Sequence, residues 1–188
     1  MGDYQQGTSP QKNEKYTYND YLSWPENERW ELIKGFAYSM SPAPKTRHQR
    51  ISVILSSAIF DFLKGKPCEI FSAPFDVKLD DDTVVQPDLS VICDKDKIDE
   101  KGCNGAPDLI IEILSESTAL KDQTEKRLLY EESGVREYWI INPDLPEVMV
   151  FIHDGKSFAK PVHLSKDEIL ESVVLDGLVL QLEEVFSE

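Results

Sequence analysis

At 188 residues the chain has the length of one domain, with 40% hydrophobic and 29% charged residues, the balance of an ordinary globular protein. No apolar run nears the ~20 residues of a membrane span, and the leading MGDYQQGTSPQKNEK has no apolar core, so no signal peptide is expected. The net charge of −15 works against non-specific binding of phosphates, which rests on Lys and Arg, so a nucleic-acid role would need positive charge concentrated locally.

Residues 1–15 read as a disordered lead-in ended by Tyr16, and 16–188 as a single domain. Thr17 is placed to cap a short helix that Pro25 stops. From Arg29 to Met40, two strands are predicted with a turn at Gly35; Trp30, Leu32, Phe36, Tyr38 and Met40 fall on one parity. Ser41 to Pro44 is a loop. His48 to Leu63 is a helix, because Ile51, Ile54, Leu55, Ala58, Ile59 and Phe62 line one face. Strands follow over Glu69–Leu79 and Val84–Cys93, separated by the acidic turn at Asp80, Asp81 and Asp82. Asp94–Gly105 is a charged loop. Leu109–Leu114 is short and apolar, as a strand buried on both faces is. Ser117 or Thr118 can cap a second helix that reaches Ser133, with Gly134 as its left-handed terminator. After a strand at Glu137–Ile141, Asp154-Gly155 and Asp176-Gly177 are hairpin signals, the second between Val173–Leu175 and Leu178–Leu180. This order predicts a mixed sheet with helices packed against it.

Cys68, Cys93 and Cys103 are odd in number and form no C-x-x-C pair, so they read as idle thiols in a reducing cytoplasm rather than a disulfide framework or zinc site. His48, His153 and His163 lack ligand spacing, and His48 reads as a helix-start residue. Phosphate-binding, dinucleotide and hydrolase-elbow motifs do not occur.

The informative residues are acids. Glu112 lies inside LIIEIL (109–114), where burying a carboxylate costs several kcal/mol unless a cation, a Lys or Arg, or a proton compensates it. Asp88 follows Pro87, which is excluded from central ladders and so marks a bend or a strand start. Carboxylates offered by two strands at matching depth would suit a hard divalent cation; Asp88 alone could equally be a turn residue, and Glu112 half of a buried ion pair. Glu31 stands opposite to the apolar set of its strand, as a solvent-facing glutamate does. Lys126 is four residues after Asp122, as in a surface ion pair; alternatively it points back to the strand end that carries Glu112.

The phrases WELIKG (30–35), VQPDLSVICD (85–94), GAPDLIIEILSEST (105–118) and DQTEKRLLYEESGVREYWIINP (122–143), with the closing hairpins, resemble the PD-(D/E)XK nuclease superfamily, and within it the uncharacterised "Uma" branch of restriction-endonuclease-type proteins. The resemblance covers about residues 16–186. It implies a mixed α/β, restriction-endonuclease-like core, with a central mixed sheet flanked by helices and added C-terminal hairpins. Asp88 and Glu112 then look like the metal-binding acids, with the Ile113 carbonyl as a further ligand, and Glu31 like an additional acid. The superfamily lysine two residues after the second acid is replaced by Leu114. Lys126 on the following helix fits the migrated lysine of some branches.

The function so implied is hydrolysis of DNA phosphodiesters with Mg²⁺ or Mn²⁺, RNA being a weaker option. Asp88 and Glu112 would hold the ion, and Lys126 and Glu31 would complete the catalytic set. Lys45, Arg47, Arg50, Lys121, Lys126 and Arg127 are the expected basic rim. The competing reading is an inactive nuclease-fold module that binds DNA or protein. A homodimer is expected, because the C-terminal hairpins leave apolar edges.

Overall fold

Short strands, many ended by Gly or Pro, outnumber the helices in a computed structural model that describes residues 8–25, 27–40, 44–115 and 119–187. Residues 41–43 of the loop expected over Ser41–Pro44 and the expected caps Ser117 and Thr118 lie outside the described residues, as does 1–7 of the lead-in. Residues 8–15 form neither helix nor strand, and the Gln11 amide donates to the Tyr16 hydroxyl.

Helix α1 (Tyr18–Tyr21) starts at Thr17, which exchanges reciprocal cap bonds with Asp20. Strands β1 (Trp30–Ile33) and β2 (Phe36–Ser39) turn through Lys34 and Gly35, both at positive φ as a two-residue primed turn requires. Helix α2 (Thr46–Leu63) buries His48, Ile51, Leu55, Ile59 and Leu63. Then come β3 (Glu69–Ser72), β4 (Val77–Asp80), β5 (Thr83–Val85), β6 (Leu89–Ile92), β7 (Ile98–Asp99), β8 (Gly102–Asn104) and β9 (Leu109–Ile113). Past β9, α3 (Ala119–Lys121), a π-helical turn (Asp122–Lys126) and α4 (Arg127–Ser133) form one helical segment, closed by Gly134 in the left-handed region. Strands β10 (Glu137–Asn142), β11 (Glu147–Ile152), β12 (Val162–Ser165), β13 (Ile169–Glu171) and β14 (Val179–Gln181) and helix α5 (Leu182–Val185) complete the chain.

The central sheet runs β12-β11-β10-β9-β6-β3, with only β9 and β10 parallel, and so is mixed as expected. A second mixed sheet runs β2-β1-β5-β4-β8-β7. Residues alternate between the faces of the central sheet. Leu109, Ile111, Ile113, Trp139 and Ile141 pack with α2, α5 and the β13–β14 hairpin. Ile110, Tyr138 and Ile140 pack on the other side with Leu129 and Tyr130 of α4 and with Val77 and Val85 of the second sheet. Each such fully buried side chain contributes about 1.5–3 kcal/mol. Glu112 belongs by parity to this second face.

Several expectations are corrected. The strand expected over Glu69–Leu79 is two strands in different sheets, because Pro74 has no N–H for a ladder. The single strand expected over Val84–Cys93 is likewise two, β5 and β6 in different sheets, divided at the bend that Pro87 marks. The loop at Asp94–Gly105 contains the β7–β8 hairpin. The second C-terminal hairpin pairs β14 with β13 rather than with Val173–Leu175, because the Val173 and Val174 amides donate to the Glu137 carboxylate instead. The thiol reading also changes. Cys68 and Cys93 are disulfide-bonded, leaving Cys103 as a free buried thiol. The β3–β6 register pairs Glu69 with Ile92, which sets those two cysteines opposite each other at the strand ends. Their chemistry therefore gives no argument for a reducing compartment. Among the described residues, no helix is long and apolar enough to cross a membrane.

Candidate active site: facing acids and a buried lysine

The β6–β9 register runs Leu89↔Ile111, Ser90↔Ile110 and Val91↔Leu109. One step further, it sets Asp88 opposite Glu112. Asp88 lies in the bend after Pro87, and its Oδ2 accepts the Ile113 N–H at 2.8 Å and faces His48 Nε2 at 3.1 Å. Glu112 is buried, and its Oε1 accepts from Lys126 Nζ at 2.9 Å and from the Tyr130 hydroxyl at 2.7 Å.

Lys126 takes the inward alternative rather than forming a surface pair. It is 3% exposed, with Nζ 2.8 Å from Glu31 Oε1, 2.9 Å from Glu112 Oε1 and 3.7 Å from Asp122 Oδ1. Asp122 and Lys126 are the buried residues of the π-helical turn, a distortion often found at functional sites.

Glu31 is not the solvent-facing glutamate that its strand parity suggests; it is 3% exposed. A two-residue turn reverses parity between its strands: Glu31 pairs with Tyr38 and Leu32 with Ala37. Glu31 thus shares a face with Ile33, Phe36 and Tyr38, not opposite to Tyr38 as reading one parity through the turn implies. Its Oε1 also accepts the Gln86 N–H at 3.2 Å, and its Oε2 accepts from Lys121 Nζ at 3.0 Å. Lys121 in turn lies 3.9 Å from the centre of the Tyr38 ring.

The charges are unevenly shared. Burial would raise the Glu31 carboxyl, but Lys126 and Lys121 overcome it and bring it down to about 2. Burial pushes the Glu112 carboxyl up to about 8; Lys126 opposes this, while Asp122, Asp88 and Glu31 add to it. Burial pulls the Lys126 ammonium down, yet Glu112, Glu31 and Asp122 hold it well above its ordinary value. The cluster therefore carries more potential negative charge than its lysines neutralise.

That excess decides whether the residues suit a divalent cation. Among the described residues, no three His, Cys, Asp or Glu side chains converge on one point to hold an ion. What faces across the strand ends is a two-carboxylate set, with the Ile113 carbonyl next in sequence after Glu112. Among the described residues, Asp88 Oδ1 and Glu112 Oε2 have no protein donor. Hard oxygen donors with surplus negative charge fit Mg²⁺ or Mn²⁺.

The expected basic rim shrinks. Lys121 and Lys126 turn inward to Glu31, and Arg127 lies 3.7 Å from Glu131. Arg47 and Arg50 remain, lining a recess of about 290 Å³ with Thr46, Ile51, Phe186 and Ser187.

Sequence reasoning missed two buried groups. His48 does start a helix, but it continues the buried row Ile51, Leu55, Ile59, and that spacing could have flagged it. Glu137 is fully buried on the opposite face of the sheet, accepting from Trp139 Nε1, the Ser172 hydroxyl and the Val173 and Val174 amides. Neutral donors satisfy Glu137, whereas Glu112 depends on a buried ammonium.

Residues 18–183 match the family model Uma2, described as "Putative restriction endonuclease". An uncharacterized protein from Synechocystis is 29% identical over 141 residues, which are 73% of this chain and 74% of that one. The crystal structure of a "putative nuclease belonging to DUF820" from Anabaena variabilis has a TM-score of 0.77 at 24% identity, covering 92% of this chain and 98% of that one. This last likeness shows that the two chains share a fold.

Proposed function

Because the chain belongs to the Uma2 family of restriction-endonuclease-type proteins, we propose that it is a metal-dependent endonuclease that hydrolyses DNA phosphodiesters through Asp88, Glu112, Lys126 and Glu31. The observation that carries this reading is the placement of Lys126, which reaches Glu112 from the following helix and so supplies the ammonium that Leu114 cannot.

Asp88 Oδ1 and Glu112 Oε2, with the Ile113 carbonyl, would hold Mg²⁺ or Mn²⁺. When bound, the cation supplies Lewis-acid polarisation of the scissile phosphate and lowers the pKa of water beside it. The chain's own residues do the positioning. Lys126 orients the attacking water and offsets the charge that builds on the phosphoryl oxygens. Glu31 holds Lys126 in place and charged. Tyr130 fixes the Glu112 oxygen that Lys126 shares. Arg47 and Arg50 give the DNA backbone a local positive landing in an acidic protein.

Purified protein is expected to nick plasmid DNA with Mn²⁺, and Asp88→Ala is expected not to. Equal nicking by both proteins overturns the proposal.

A second reading is an inactive module that keeps the fold. It is favoured by the acidic surface and by the engagement of Lys126 with three carboxylates within 3.7 Å. Calorimetric titration with Mg²⁺ and Mn²⁺ separates the readings, since absence of binding supports the module. A homodimer belongs to the proposal as well, motivated by exposed Val162, Ile169, Val173 and Val179 on the C-terminal hairpins.

A further inference from the structure

We propose that His48 is a positioning residue that sets the orientation of the Asp88 carboxylate; this rests on the reading of Asp88 as a cation ligand. Asp88 lies in a bend between strands rather than in a ladder. Its backbone is held there by its carbonyl, which accepts the Ala73 N–H at 3.0 Å. Its side chain is held separately. Oδ2 accepts from Ile113 N at 2.8 Å and from His48 Nε2 at 3.1 Å, so β9 and α2 clamp one oxygen from two directions. The clamp fixes the carboxylate plane and leaves Oδ1 as the oxygen turned to a ligand.

The environment of His48 supports this assignment. Its side chain is 8% exposed, and it occupies the first position of the buried row that continues through Ile51 and Leu55. An aliphatic residue would fill that position without burying polar atoms. Among the described residues, the imidazole Nδ1 is buried with no hydrogen-bond partner, and Asp88 is the one polar contact that the ring makes. Buried ring nitrogens are ordinarily both satisfied. With an acidic oxygen at Nε2, the ring carries its proton there. Groups that hold a ligating carboxylate in this way tune affinity for the ion without touching it.

The test uses the full chain as wild type, His48→Gln and His48→Ala. Glutamine keeps an N–H donor where Nε2 stands, and alanine keeps none. Calorimetry with Mn²⁺ is expected to give about 10–100-fold weaker binding for His48→Ala. His48→Gln is expected to return to near the wild-type value, with all three proteins melting cooperatively. Alanine binding as tightly as wild type, or glutamine as weakly as alanine while folded, overturns the proposal. Nitrogen-15 spectra of the metal-free wild type are expected to show a protonated Nε2. A proton on Nδ1 instead overturns the proposal without any variant. If wild type binds no Mn²⁺, the cation reading fails by itself. The spectrum and the His48→Ala crystal structure then judge the positioning: the Asp88 carboxylate is expected to turn away from Ile113 N, and an unmoved carboxylate refutes the clamp.

Discussion

Replacing Lys126 with Met tests the centre of the site. Methionine keeps a long unbranched stem in the same packing and removes only the ammonium. Glu31 would retain Lys121 and the Gln86 amide, while Glu112 would retain only the Tyr130 hydroxyl. Breaking a buried ion pair from one side costs about 3–5 kcal/mol, because the remaining charge has neither water nor partner. For a domain of this size, that lowers the melting temperature by roughly 6–20 °C. The loss is expected to be large at pH 7 and smaller near pH 4, where the Glu31 carboxyl, no longer held down by Lys126, can take a proton, Glu112 already keeping its own at pH 7. Differential scanning calorimetry at both pH values measures it, and a change below about 2 °C at pH 7 refutes the account. In the plasmid assay with Mn²⁺, nicking should fall by about 10²–10³-fold, the usual effect of removing one transition-state donor. Mn²⁺ affinity should not fall, because the group removed is itself a cation. A variant that nicks like wild type ends the assignment of Lys126 to the chemistry.

The acids give opposite pH dependences in the metal-free protein. Glu31 is held at about 2 when folded and returns to near 4.5 when unfolded, so its contribution of about 3 kcal/mol is present above pH 4.5 and lost as pH falls towards 2. Glu112 keeps its proton to about 8 when folded but ionises near 4.5 when unfolded, so its effect is a decline in stability from pH 4.5 to 8. Urea unfolding from about pH 2 to pH 8 measures both, and an acid limb unchanged by Glu31→Gln contradicts the first. Mn²⁺ binding at pH 7 should release a proton, read by calorimetry in buffers of different ionisation enthalpy; no release contradicts the raised Glu112 carboxyl. Gly102→Ala should destabilise by more than the ~1 kcal/mol of an ordinary glycine replacement, since its φ is +141° and a Cβ would run into the Asp76 carbonyl oxygen. A melting point equal to wild type would show that the β7–β8 hairpin can shift aside.

Local chemistry made much of this protein legible in its sequence. Glycines and prolines marked the turns, and apolar spacing marked α2. The unbroken run around Glu112 implied a strand covered on both faces, and hence a carboxylate in need of compensation. The bend at Pro87 located Asp88 beside a strand start. What compensates Glu112 was not legible, because its candidates sit on other elements and only packing chooses among them. Lys126 is 14 residues from Glu112, Lys121 is 90 from Glu31, and His48 is 40 from Asp88. The burial of Glu31 depended on the parity reversal at a two-residue turn, and the Cys68–Cys93 bond on the register of β3 against β6. Sequence spacing sets which face of an element a residue takes. The tertiary structure decides what that face meets, because burial makes a charge choose its partner from whatever the fold brings within about 3 Å.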